Sequence, residues 1–185
     1  AIICQDAKTK AHIDHLKNFG FVDETTVVAA GINGKMSEVN AAFGMLQLKY
    51  IDFCIEKRKQ ISQYYTDKIK FIRGISLPDP QLSFTPNYSY FPVFVEADYS
   101  LSRDALYEQF RQQNVIVRRY FYPLITAFPM YRNARPAQDE ELPNARYISS
   151  RVLCLPLHPN LEQADLEKVI AILSSYSKQQ IQQAI

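Results

Sequence analysis

No stretch of this 185-residue chain is apolar for long enough to span a bilayer. No signal-peptide pattern opens it. Neither sign of charge dominates: 21 Lys and Arg stand against 19 Asp and Glu, a formal net charge of +2. That balance argues against a nucleic-acid or membrane-surface binder. The basic residues form no dense run, so the plentiful aromatics do not make the interleaved pattern of an RNA binder. Cys4, Cys54 and Cys154 are odd in number and widely spaced, which excludes a zinc pattern or a disulfide framework. They read as reduced, mostly buried thiols. His12 and His15 stand three apart beside Asp14, a spacing read as a solvated helix face rather than a metal site. No repeat or low-complexity tract is convincing. What is present is 47% apolar residues, enough to build a core. The composition is that of a cytoplasmic globular protein.

The pattern divides in three. Residues 1–36 read as strand, helix, strand: Ile2-Ile3-Cys4, then Ala11 to Asn18 with Gly20 as a helix stop, then Thr25 to Ala29. Such pieces resemble the end of a larger sheet. Residues 37–73 read as one long helix from Ser37 to about Phe71, with an apolar stripe through Val39, Phe43, Leu46, Tyr50, Phe53 and Ile61. Gly74, Pro78 and Pro80 end it. Residues 74–185 read as a small α+β unit. Its strand at 88–95 contains Pro92, which predicts an edge strand or an irregularity. Ser102 caps a helix to about Gln113, and Val115 to Val117 and Val152 to Leu155 are short strands. Asn160 with Gln163 suggests a capping box. The helix that follows buries Leu166, Val169, Ile170 and Leu173, and the Gln-rich tail from Ser174 frays.

Two segments carry chemistry. In Gly31-Ile32-Asn33-Gly34-Lys35-Met36-Ser37-Glu38, two glycines permit unusual backbone angles, Ser37 is a candidate N-cap, and Glu38 complements the helix dipole. An amide, a cation and helix amides suit an anion such as phosphate. Composition alone favours an ordinary helix start. In Arg118-Arg119-Tyr120-Phe121-Tyr122-Pro123-Leu124, forked donors and amphipathic rings suit a phosphorylated, ring-bearing ligand. Spacing alone favours a strand end with surface arginines and packed tyrosines. Tyr88 and Tyr90 are weaker candidates and read as packing residues.

The first segment, running on through Ala41-Ala42, resembles the G-x-N-x-K-M-S/T-E-x-x-A-A motif of the DegT/DnrJ/EryC1/StrS sugar aminotransferases. The resemblance continues through Leu16 to Phe21, Gln47-Leu48, Arg58 and Tyr65, Pro123-Leu124, and Leu155-Pro156-Leu157-His158-Pro159. It covers essentially the whole chain, matched to the later part of a family member. It implies a fold-type-I α/β architecture: the end of the large-domain sheet, a long linking helix and a small α+β C-terminal domain. It implies pyridoxal 5'-phosphate as cofactor, with amine passing from glutamate to a nucleotide-linked ketosugar. The Gly-Lys-Met-Ser variant points to dTDP-4-dehydro-6-deoxyglucose or a 3-keto relative. A homodimer is implied, in which Asn33 reaches the cofactor phosphate of the partner subunit and Lys35 adds charge. Arg118, Arg119, Tyr120 and Tyr122 become substrate contacts. Ile125 departs from the His that many members carry after Pro-Leu. No catalytic residue is assigned, because the family's Schiff-base lysine lies upstream of the match. The chain is accordingly expected to be an inactive portion of its parent. Alternatives are a standalone sugar-nucleotide-binding or interaction module, or a sugar dehydratase of the same fold.

Overall fold

A computed structural model of the protein describes residues 2–79, 85–131, 133 and 142–177. Ala1, Pro80 and the tail from residue 178 lie outside the described residues, and so do the expectations placed on them. The chain forms two compact units, residues 1–51 and 52–185.

In the first unit, Asp6 accepts a hydrogen bond from the Thr9 N–H at 2.8 Å and so starts α1, Ala7–Leu16. Gly20 stops the turn that follows. Its φ is +85°, and its N–H donates to the His15 carbonyl at 2.8 Å. Neither expected strand forms. Residues 2–4 have no ladder partner among the described residues, and residues 25–29 contribute one bridge, Phe21 to Val27. The cause is a tight reversal at Asp23, whose carboxylate accepts from the Thr25 and Thr26 N–H groups at 3.0 and 2.9 Å. β-branched residues extend into a strand only where a neighbour supplies a ladder.

Ser37 caps α2, Glu38–Leu48, accepting from the Asn40 N–H at 3.3 Å. The expected single helix is broken. The N–H groups of Lys49 and Tyr50 donate three residues back, to Leu46 and Gln47, before α3 begins at Ile51 and runs to Ile69. Neither Gly nor Pro marks this break, so hydrophobic periodicity runs through it unnoticed.

The second unit is built on a three-stranded antiparallel sheet, ordered β1 (Ile75–Ser76), β2 (Phe91–Val95), β3 (Val152–Leu155). Alternation sends Phe91, Val93 and Val95 into the core, whereas β3 is buried along its whole length. Around the sheet lie Tyr65 and Ile69 of α3, Leu106 and Phe110 of α4 (Arg103–Gln112), and Leu166, Val169, Ile172 and Leu173 of α6 (Gln163–Ser175). Ile170, expected inside, is only partly buried, and Ile172 takes that place. The Tyr99 hydroxyl donates to the Leu173 carbonyl at 2.6 Å, tying α6 to the loop before α4. Ser102 caps α4 as expected, accepting from the Ala105 N–H. The cap of α6 is Glu162, not Asn160: its N–H donates to the Asp165 carboxylate at 3.0 Å. The two candidate boxes differ by two residues, and the Glu–Asp pair brings a charge to the positive helix end.

β2 is central, not an edge, yet it contains Pro92. The register explains this. Pro92 faces Cys154, and the N–H and carbonyl of Cys154 both point the other way, bonding Arg118 at 2.8 and 3.1 Å. The backbone of Pro92 therefore turns towards the β1 side, where β1 has already stopped opposite Phe94. The expected strand at Val115 to Val117 is reduced to that one bridge, Arg118 to Cys154. Short α5, Pro143–Ser149, precedes β3. All three thiols are free. Cys154 is buried, which pushes its thiol up to about 11, while Cys4 and Cys54 are half-buried.

Candidate active site

In the first unit, Asn33 and Lys35 sit on a segment laced to the end of α1. Ile32 N–H donates to the Leu16 carbonyl at 2.8 Å, Phe19 N–H to Ile32 at 3.1 Å, and Gly34 N–H to Lys17 at 2.8 Å. Close approach, not an unusual dihedral, demands Gly31. A Cβ there would stand 2.4 Å from the Gly20 nitrogen and 2.5 Å from the Leu16 oxygen. Neither Gly31 nor Gly34 has a positive φ, which corrects the reading that both were there for angles forbidden to other residues.

Between these clamps Asn33 is exposed, and its side chain bonds to no described residue. Lys35 is held: its Nζ donates to Asn18 Oδ1 at 2.9 Å and stands 5.5 Å over the Phe19 ring. An ammonium has three donors, so one bond to Asn18 leaves others for an anion. The amides at the start of α2 are less available, because Ser37 already occupies one of them. A free amide and an anchored cation on a rigid turn fit a phosphate group. No residue of this chain is assigned as the imine-forming lysine.

In the second unit, the four expected substrate residues follow the Cys154 bridge but do not form one cluster. The Arg118 side chain is exposed and makes no hydrogen bond or ion pair with a described residue. It lines a cavity of about 550 Å³ with Tyr90, Asn114, His158 and Lys168. Tyr120 lines a different cavity of about 670 Å³, with Tyr88, Tyr90 and Pro92. Its ring lies 4.2 Å from that of Tyr90. Partial burial, with the Tyr90 hydroxyl close by, pushes the Tyr120 hydroxyl up to about 12. Arg119 is committed elsewhere: its Nη1 bonds Asp104 Oδ1 at 3.0 Å, and its guanidinium covers the Tyr107 ring at 4.4 Å. The Tyr122 ring lies 4.6 Å from the guanidinium of Arg103.

Arg103, Asp104 and Tyr107 were not among the expected residues. One signal was available. Arg103 occupies the first position of α4, where a cation opposes the helix dipole. The structure turns it inward, onto the Ser149 carbonyl at 2.8 Å. Nothing in the spacing joins Asp104 to Arg119, fifteen residues on. Among the described residues, no group of three or more His, Cys, Asp or Glu could hold a metal ion, and no helix is long and apolar enough to cross a membrane.

Residues 1–174 match the DegT/DnrJ/EryC1/StrS aminotransferase family. The chain belongs to this family. Within it, the dTDP-4-amino-4,6-dideoxy-D-glucose transaminase of Escherichia coli is 47% identical over 173 residues, covering 94% of this chain and 47% of the relative. The dTDP-3-amino-3,6-dideoxy-alpha-D-galactopyranose transaminase of Aneurinibacillus thermoaerophilus is 26% identical over 180 residues, covering 95% and 46%. The chain thus spans about half the length of the curated relatives it matches. Among solved structures, DesV of S. venezuelae superimposes with a TM-score of 0.86 at 22% identity, over 96% of this chain and 46% of that one. DesI, solved in the presence of its TDP-sugar product, gives 0.78 at 26% identity, over 94% and 44%. The architecture is therefore that of the fold-type-I aminotransferases, α/β with a small sheet in its later part.

Proposed function

We propose that this chain is the later part of a pyridoxal-phosphate enzyme that moves an amino group from glutamate to a dTDP-linked ketosugar. The observation that carries the reading is the 47% identity to the E. coli dTDP-4-amino-4,6-dideoxy-D-glucose transaminase, sustained over 94% of this chain. It favours dTDP-4-dehydro-6-deoxyglucose as acceptor. Bound pyridoxal phosphate supplies the electron sink for the proton transfers of transamination.

The residues of this chain bind and orient. Asn33 donates its side-chain N–H to the cofactor phosphate of the partner subunit in a homodimer. Lys35, steadied by Asn18, adds positive charge beside it. Arg118, whose side chain has no ion pair with a described residue, offers a planar fork to the diphosphate of the sugar nucleotide. Tyr120 presents a ring face and a hydroxyl donor to the ligand. The setting is cytoplasmic, in keeping with three free thiols.

The test is direct. The full-length protein carrying this chain is incubated with glutamate and dTDP-4-dehydro-6-deoxyglucose, and products are separated and weighed by mass spectrometry. The expected result is a glutamate-dependent 4-amino sugar nucleotide. Amination of a 3-ketosugar instead moves the reacting carbon. Failure with both ketosugars overturns the reading.

A further inference from the structure

We propose that Arg103 is the positioning residue of the Arg118–Tyr122 loop. With Asp104 it anchors Arg119 and Tyr122, leaving the Arg118 side chain, and Tyr120 packed on Tyr90, to line the two cavities. The inference rests on the reading of this loop as a substrate contact.

The loop cannot hold its own shape. Among the described residues, no backbone hydrogen bond is donated or accepted by residues 119–123. The backbone is pinned at Arg118 by the Cys154 bridge and next closes at the Ala127 N–H, which donates to Leu124. Between those points order must come from side chains.

Arg103 supplies it. Its side chain is only 3% exposed, and a buried guanidinium is stable only where its donors are met. Nη1 donates to the Ser149 carbonyl at 2.8 Å and reaches the Val152 carbonyl at 3.4 Å, which fixes it to the end of α5 and the start of β3. Nε lies 2.9 Å from Asp104 Oδ1, near enough for charge pairing but misaligned for a hydrogen bond. The guanidinium is covered by the Tyr122 ring at 4.6 Å. The same Asp104 oxygen accepts from Arg119 at 3.0 Å, and the Arg119 guanidinium stands 5.8 Å from the Tyr122 ring. Burial alone would raise the Asp104 carboxyl. The Arg119 hydrogen bond and the Arg103 charge more than offset it, so Asp104 stays ionised between two cations. One carboxylate and one ring therefore tie the loop to the sheet at two points. The two side chains left out of the cluster, Arg118 and Tyr120, line the two cavities.

Arg103→Met and, because that change threatens the core, Tyr122→Leu are made in the full-length protein; Tyr122 is half exposed. Backbone hydrogen exchange is followed at the hydrogen-bonded amides that close the loop at its two ends, Arg118 and Ala127, and across α6. Steady-state constants are measured for the sugar nucleotide. Both variants are expected to raise exchange at the two loop ends and not in α6. KM should rise about tenfold with kcat within about twofold, the mark of lost ligand positioning. Unchanged exchange at the loop ends overturns the proposal, as does a rise shared equally by α6, or a fall in kcat with KM unmoved. Should the wild type aminate neither ketosugar, the functional reading fails while the exchange comparison still decides the anchoring role.

Discussion

Asn33 has the simplest consequence at the scale of single residues. Its side chain has no partner among the described residues, so truncation removes no contact seen there. Asn33→Ala in the full-length enzyme should leave the thermal midpoint of the cofactor-free protein unchanged and weaken cofactor retention. One hydrogen bond to a charged group is worth about 1.5–3 kcal/mol, which is roughly a ten- to hundredfold change in affinity. Equilibrium dialysis of pyridoxal phosphate against the variant measures it, and unaltered affinity removes Asn33 from the site. Tyr65 is the opposite case. It is wholly buried, and its hydroxyl has no partner among the described residues. Burial holds that hydroxyl far above the ordinary tyrosine range. Tyr65→Phe deletes a desolvated, unmet donor and keeps the ring that packs on Phe91, 5.1 Å away. Calorimetry should show stability equal to the wild type or higher by about 1 kcal/mol. A clear loss would reveal a partner for the hydroxyl.

Elements differ sharply in how far sequence alone foretold them. Helices with their own start signals were legible: Ser37 and Ser102 cap α2 and α4 where expected. In the second unit β2 and β3 were legible because Val93, Val95, Leu153 and Leu155 have core neighbours to meet, whereas the two-residue β1 was not read and Val115 to Val117 forms no strand. The strands of the first unit were not. Ile2, Ile3, Val27 and Val28 carry the right side chains, but a strand is defined by a partner that local sequence does not contain. The break at Lys49 and Tyr50 left no mark, since it involves no helix-breaking residue. Leu153→Ala in β3 should cost about 2–5 kcal/mol by urea titration, because the side chain is fully buried. Leu46→Ala in α2, half exposed, should cost about 0.5 kcal/mol or less in the same 185-residue chain. Equal costs would mean that α2 is packed as tightly as the sheet.

For the molecule as a whole, stability is unevenly divided. Neither α1 nor α2 buries a single residue, and Val39, Phe43, Met45 and Leu48 stand open. Timed trypsin digestion of the 185-residue chain should cut residues 1–51 before β3 or α6, since local opening follows the density of buried contacts. Early cleavage within α6 would contradict that order. With pyridoxal phosphate and borohydride, the same chain should yield no stoichiometric adduct on one lysine, whereas a single full adduct would place an imine-forming residue inside it. The candidate site was legible only by kind. Asn33 and Lys35 are proposed from a contiguous motif. The split of Arg118 from Arg119 was invisible, because it depends on an aspartate reached through the fold rather than along the chain. One feature of the sheet reaches further still. Where β1 stops short, β2 would present bare donors to any passing extended chain. Pro92 stands beyond the end of the β1 ladder without an N–H to offer, so β2 gives an invading strand no donor at that position, and self-association by edge pairing is discouraged there.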